Sequence, residues 1–288
     1  MEQEMEIKTV GVIGIGQMGG GIALSTAESG FNVIVHDIND SIIEQGIQKI
    51  ERMLKISVRL KRVEADKKDE VLSRIKTTTS LEDFKDAQLV IEAAPEIIKL
   101  KHEIFSKLDG ICPEETIFAT NTSSLSVVDI GSVTKRRDRF LGLHFFNPPT
   151  ETKLVEVVRT LLTGDESFNI AFDWVKKIDK TPIEAKDTPG FIVNRLMVLF
   201  LNEGARMAEE GLASPQDIDK AWKLATGMPK GPLEMIDLIG VDVATHVGDS
   251  LYNEFKERLF HCPPILHQMR RAGLLGRKSG RGFYPYSK

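Results

Sequence analysis

The sequence predicts an α/β fold: a doubly wound sheet domain over residues 1–187 followed by an all-helical domain over residues 188–288. Three observations carry that expectation. Short apolar runs alternate with helical periodicities through the first part of the chain, the pattern of βαβ units that feed a mainly parallel sheet. A glycine-rich turn separates the first apolar run from the first helix. Beyond Thr188-Pro189-Gly190 no convincing strand pattern occurs, and the periodicity is helical.

Taken in order, residues 10–15 read as a buried strand and residues 22–29 as a helix ended by Gly30. A second strand spans 31–37. Asn39, Asp40 and Ser41 then offer caps for a long helix, whose apolar stripe of Ile43, Ile47, Ile50, Leu54 and Val58 steps by three and four. A charged stretch over 61–70 leads into a short helical piece ending near Ile75. Residues 89–94 form the next strand and 98–110 the next helix. Strands at 116–120 and 140–146 are separated by a helical segment, and 153–159 and the neighbourhood of Ile183 are strands again. In the second domain residues 192–210 read as one long helix, apolar around much of its first half, which implies deep burial. Ser214-Pro215 supplies N-cap and N1 chemistry for another helix.

Composition narrows the classes. Apolar residues at 41% and charged residues at 28% exclude wholesale disorder and fibrous repeats. Lys and Arg number 38 against 42 Asp and Glu, a net charge of −4 that argues against nucleic-acid binding while allowing a local basic patch for an anionic ligand. The run Lys135-Arg136-Arg137 reads as a solvated loop. The longest apolar run, 196–201, is far too short to span a bilayer, and the N-terminal MEQEMEIK has no apolar core of a secretory leader. With Cys112 and Cys262 the only cysteines, no disulfide framework exists, and a cytoplasmic setting is expected.

The turn is Gly14-Ile15-Gly16-Gln17-Met18-Gly19, a GxGxxG motif that follows a strand and opens a helix. Gly14 permits the tight turn, Gly16 lets the backbone approach a pyrophosphate, and Gly19 lets helix pack on strand. Gln17 and Met18 open the helix whose exposed N–H groups would hold the phosphates. Asp37, at the end of the next strand, can accept the ribose hydroxyls of an adenosine and would repel a 2′-phosphate. The expected ligand of this Rossmann-type domain is therefore NAD rather than NADP.

A second feature is a carboxylate where apolar residues belong. On the strand at 153–159, Glu156 shares a face with Leu154 and Val158 and needs a partner there. His144 is the nearest sensible one. A Glu holding one imidazole nitrogen fixes the tautomer and leaves the other nitrogen to act as a general base. Spacing alone fits equally well an edge strand with Glu156 in solvent and His144 as a hydrogen-bonded core residue. Asn121-Thr122-Ser123-Ser124, at another strand end, converges on the same carboxyl-terminal edge of the sheet, although Ser123 or Ser124 also fits as a helix N-cap.

Over residues 10–286 the chain resembles the L-3-hydroxyacyl-CoA dehydrogenases, above all the bacterial 3-hydroxybutyryl-CoA dehydrogenases. The segments GVIGIGQMGGGIA, VIEAAPE, ATNTSSLS, GLHFFNP, KLVEVVR, DTPGFIVNR, GPLEMIDLIGVD and GRKSGRGFY carry the likeness. The resemblance implies a base at His144 oriented by Glu156, an active-site serine at Ser123 and a substrate-binding Asn194. It implies NAD contacts at Asp37, Glu96, Lys101, Ser123, Asn147 and Lys278, an acyl-CoA substrate, and a homodimer through the helical domain. The apolar helices of that domain point to a dimer as well. Two departures stand out. Pro149-Thr150-Glu151-Thr152-Lys153 replaces the family's usual PxPxMK, and the CoA-contacting serine and lysine fall at Met53 and Leu60. Lys55, Arg59 or Lys61 could take over the phosphate contacts, or form only a solvated basic face. The rival readings are a dehydrogenase of a non-CoA hydroxy acid or sugar acid, as in lambda-crystallin-like relatives, and a non-catalytic NAD-binding protein. His261, Cys262 and His267 lack a fourth ligand and a familiar spacing, so no metal is expected.

Overall fold

The computed structural model describes residues 5–287. Part of the acidic N-terminal stretch read above for a leader, residues 1–4, lies outside them. The chain divides into two compact units, Met1–Asp187 and Thr188–Lys288.

In the first unit the order is β1 (Thr9–Ile13), α1 (Gln17–Glu28), β2 (Asn32–His36), α2 (Asp40–Arg59), α3 (Lys68–Ser73), β3 (Ile75–Thr78), β4 (Leu89–Glu92), α4 (Ile98–Ile111), β5 (Ile117–Thr120), α5 (Val127–Gly131), β6 (Phe140–Phe145), β7 (Leu154–Arg159), α6 (Asp165–Lys177) and β8 (Thr181–Lys186). The eight strands form one sheet in the order β3-β2-β1-β4-β5-β6-β7-β8. All neighbours are parallel except β6 and β7. From β1 the chain winds outward through β2 and β3, then returns to place β4 on the other side of β1. That reversal is the topological switch point of a doubly wound sheet, where ligands bind beyond the carboxyl ends of the strands. Central strands β4, β5 and β6 are buried throughout, which is why they read as unbroken apolar runs.

Several elements differ from the sequence expectation. Helix α1 starts at Gln17, five residues ahead of 22, because Gly19, Gly20 and Gly21 weaken the helical signal while permitting close packing. A Cβ on Gly19 would lie 1.8 Å from the Gly14 carbonyl oxygen, and one on Gly21 3.0 Å from Pro149. Strand β3 went unread: a short edge strand of Ile, Lys and Thr buries too little to show alternation. Helix α6 also lacked an expectation. Its amphipathic face buries Phe168, Ala171, Trp174 and Val175. The cap before α5 is Ser126, whose side chain accepts from the Asp129 N–H, and not Ser123 or Ser124. Asp187 reinforces that helix start by accepting from the N–H groups of Val127 and Val128. Arg136 is no solvated loop residue. It is buried, pairs with Asp109 at 2.8 Å, donates to the Cys112 carbonyl, and lies over the Phe118 ring.

The second unit contains α7 (Val193–Glu209), α8 (Pro215–Thr226), α9 (Pro232–Ile239), α10 (Val241–Phe255) and α11 (Pro264–Arg271). Ser214 caps α8 through the Asp217 N–H, with Pro215 in its first turn. The start of α9 is capped from outside, by Asp219 accepting from the N–H groups of Leu233 and Glu234. Fully buried Asp237 accepts from the N–H groups of Phe283 and Tyr284 and the Tyr286 hydroxyl, and so ties the C-terminal segment to α9. The first half of α7 is not deeply buried within this chain: Leu196 is 65% exposed, and burial concentrates at Val198, Leu201 and Ala205. Among the described residues, no helix is long and apolar enough to cross a membrane.

Because the Gly19 position abuts a backbone oxygen that cannot rotate away, Gly19→Ala should destabilise the chain by about 2 kcal/mol or more. Denaturant unfolding of both proteins checks this, and an unchanged midpoint would refute the close approach.

Candidate active site

Four parallel strands deliver polar groups to one edge of the sheet. Gly14 follows β1, Glu92 ends β4, Asn121 follows β5, and His144 sits one residue before the end of β6.

The glycine turn has the form that a dinucleotide requires. Gly14 has φ +94, open to glycine without strain, and a Cβ there would meet the Ala93 carbonyl oxygen at 2.8 Å. Over Gly16, by contrast, an added Cβ would meet no protein atom within 4 Å, so the turn is exposed on the side a phosphate would approach. Helix α1 has no side-chain cap and no acidic residue in its first turn, which leaves its leading N–H groups for an anion. Asp37 accepts from the Ile15 N–H at 2.9 Å and so closes the turn against the end of β2. The Gln17 amide donates to Asn147 Oδ1 at 3.2 Å. The residues present thus fit NAD at Gly14, Gly16, Gln17, Met18, Gly19 and Asp37.

Behind the next strand lies a buried charge network. Glu92 is fully buried and is answered by Lys101 at 2.6 Å, the Thr120 hydroxyl at 2.7 Å and the Ala94 N–H at 2.7 Å. Lys101, 1% exposed, also pairs with Glu96 at 3.3 Å. Glu96 in turn accepts from the Thr122 hydroxyl at 2.5 Å and the N–H groups of Ser123 and Ser124. Burial works against this carboxylate, yet Lys101, Thr122 and Ser123 outweigh it and hold its pKa below the ordinary value. Lys101 therefore acts inward, and Ser123 is presented by a loop pinned to Glu96.

His144 and Glu156 face each other as register partners of the antiparallel β6–β7 pair. His144 Nδ1 lies 2.7 Å from Glu156 Oε2, with the residues 5% and 1% exposed. A carboxylate at Nδ1 places the proton there and turns the base chemistry over to Nε2. The Asn121 side chain accepts from the Phe145 N–H at 2.9 Å, tying the serine loop to this strand. The segment joining β6 to β7 is gripped from below. Lys180 donates to the carbonyls of Pro149 and Thr152 at 2.5 and 2.9 Å, and Arg62 donates to that of Thr150 at 2.9 Å. Burial, with Lys153 nearby, pulls the Lys180 pKa down to about 8.

Other expected residues stand on other elements. Lys55 and Arg59 stand on the exposed face of α2, as does Lys61 just beyond it. In the second unit Asn194 occupies the first turn of α7, and Lys278 pairs with Asp242. His261 packs against Tyr252, so the cluster considered in sequence is instead Asp249, Cys262 and His267. Glu92, Arg62 and Lys180 escaped the sequence reading. For Glu92 the signal was present, an acid on an otherwise apolar strand, as with Glu156.

Comparison with known families decides the class. Residues 9–188 match the NAD-binding domain of 3-hydroxyacyl-CoA dehydrogenase, and residues 190–286 match its C-terminal domain. The chain belongs to the 3-hydroxyacyl-CoA dehydrogenase family. It is 42% identical over 278 residues to a 3-hydroxybutyryl-CoA dehydrogenase of Clostridioides difficile, covering 96% of this chain and 99% of that one. Among solved structures it is similar to the (S)-3-hydroxybutyryl-CoA dehydrogenase of Ralstonia eutropha, with a TM-score of 0.95, 42% identity, and coverage of 98% and 100%. A diketoreductase acting on dicarbonyl compounds is 34% identical, with a TM-score of 0.85 and coverage of 98% and 100%. As in the family, the first unit is an NAD-binding domain, and the chain is an oxidoreductase.

Removing Glu92 leaves a buried ammonium short of its nearest partner. Glu92→Ala should cost about 3–5 kcal/mol of stability, read by chemical denaturation; a loss below about 1 kcal/mol would show that Glu96 alone suffices for Lys101.

Proposed function

We propose that this protein reversibly oxidises (S)-3-hydroxyacyl-CoA thioesters, short-chain 3-hydroxybutyryl-CoA foremost, to 3-oxoacyl-CoA with NAD. The observation that carries the reading is the buried His144–Glu156 pair, on the edge of the sheet that also bears the glycine turn and the serine loop.

Bound at the glycine turn, NAD supplies the acceptor for the hydride leaving carbon 3. His144 Nε2 removes the proton of the 3-hydroxyl group, and Glu156 stabilises the imidazolium that results. In reverse the imidazolium returns that proton to the developing alkoxide. Ser123 hydrogen-bonds the reacting oxygen, and the Glu96 network sets the position of its loop. Asp37 takes the adenosine ribose and disfavours a 2′-phosphate. Glu96, Asn147 and Lys278 complete the cofactor contacts, with Lys101 acting through Glu96. Asn194 is assigned to the thioester end of the substrate, and Lys55 and Arg59 to the CoA phosphates.

The relatives named for 3-hydroxybutyryl-CoA support the CoA ester. The diketoreductase, named for dicarbonyl compounds, supports a second reading, a dicarbonyl substrate. NADH consumption with acetoacetyl-CoA, run beside NADPH and free acetoacetate, separates them. Oxidation of NADH with the CoA ester alone is expected, while turnover of free acetoacetate at an equal rate would overturn the CoA assignment. In that assay His144→Gln should lose about 10²–10⁴-fold in turnover with NADH affinity retained. Glu156→Gln should lower turnover and shift its pH profile, and a wild-type profile would separate the carboxylate from the base.

A cytoplasmic homodimer through the helical unit is part of the same proposal. Exposed Leu196, Leu212, Leu224 and Met228 in that unit support it. Sedimentation should show a species of two chains, and a single-chain species at micromolar concentration would refute it.

A further inference from the structure

The geometry points to a zinc-type divalent-cation site in the helical unit, formed by Asp249, Cys262 and His267. Asp249 lies on α10, Cys262 on the segment between α10 and α11, and His267 on α11. Their donor atoms, one carboxylate oxygen, one sulfur and one imidazole nitrogen, all lie within 4.8 Å of one another. His267 Nε2 is 3.4 Å from Asp249 Oδ1. A tetrahedral zinc ion with bonds of about 2.0–2.3 Å separates its donors by roughly 3.3–3.6 Å. The nitrogen–oxygen edge is therefore already at ligand spacing, and closing the others takes small movements.

Local structure explains how the three meet. Pro263 and Pro264 open α11, which brings His267 round within its first turns. Gly248, beside Asp249, makes room for the sulfur, since a Cβ there would sit 2.3 Å from Cys262 Sγ. Cys262 is 1% exposed and forms the floor of the cluster, while Asp249 and His267 are partly open to solvent and give the cation its entry.

Chemistry separates this reading from the obvious rival, a cysteine nucleophile activated by histidine. The Cys262 sulfur belongs to a residue only 1% exposed, out of reach of substrates. A metal ion displaces the thiol proton directly. Thiolate and carboxylate together supply two negative charges against a dication, and the mixture of sulfur, nitrogen and oxygen favours zinc or cobalt over magnesium or calcium. Solvent provides the fourth ligand.

The inference is independent of the dehydrogenase reading, and either can fail alone. The full chain, stripped with a chelator, is titrated with Co²⁺. One equivalent should bind, with a thiolate-to-cobalt charge-transfer band and the intense visible bands of tetrahedral cobalt, and Zn²⁺ should displace it. Cys262→Ser should abolish the charge-transfer band. His267→Gln, a change at a partly exposed residue, should weaken Zn²⁺ affinity at least about tenfold while leaving the metal-free thermal midpoint in place. Absence of the charge-transfer band in wild type, or Zn²⁺ affinity unchanged in His267→Gln, overturns the site, even where Cys262→Ser fails to fold.

Discussion

A carboxylate buried among apolar strands is tolerable only when donors surround it, and the active edge of this protein is organised by that requirement. Glu92, inside the sheet, draws in Lys101 and the Thr120 hydroxyl. Lys101 in turn holds Glu96, and Glu96 collects the N–H groups of the loop that carries Ser123. Glu156 repeats the arrangement three strands further on, with His144 as its donor. Each carboxylate costs several kcal/mol if left unanswered, so the positions of the polar residues are enforced by stability as much as by chemistry. The pieces of the site are held where the fold itself would suffer if they moved.

The same edge is joined across strands by smaller ties. Asn121 links the serine loop to β6, Gln17 links the start of α1 to Asn147, and Asp37 links the end of β2 to the glycine turn. Each connects two segments that a single ligand would have to touch together. Preorganisation of this kind lowers the cost of orienting reactants, because the groups need not be assembled at the moment of reaction.

Much of this was legible in the sequence, and the reasons are particular. The glycine turn is readable because each glycine answers a separate steric demand, as the contacts of Gly14 and Gly19 show. Strands β4, β5 and β6 are readable because burial on both faces writes a continuous apolar run. Glu156 betrays itself as a charge on an apolar face. What stayed hidden is of two kinds. Edge strand β3 and the glycine-rich start of α1 carry weak local signals, since little is buried in one and glycine disfavours helix in the other. Arg62, Arg136 and Lys180 look like ordinary surface cations in sequence, and only the folded chain brings carbonyl oxygens to them.

Lys180 and Arg62 grip the β6–β7 connection through backbone oxygens, those of Pro149, Thr150 and Thr152. Carbonyl groups are common to every residue, so Lys180 and Arg62 hold the path of this segment without reading its side chains. The segment can therefore exchange its residues while its trajectory persists. Thr150 and Thr152 enter this grip through their main-chain oxygens. Here the fold fixes the course of the main chain and leaves the surface it displays to the side chains.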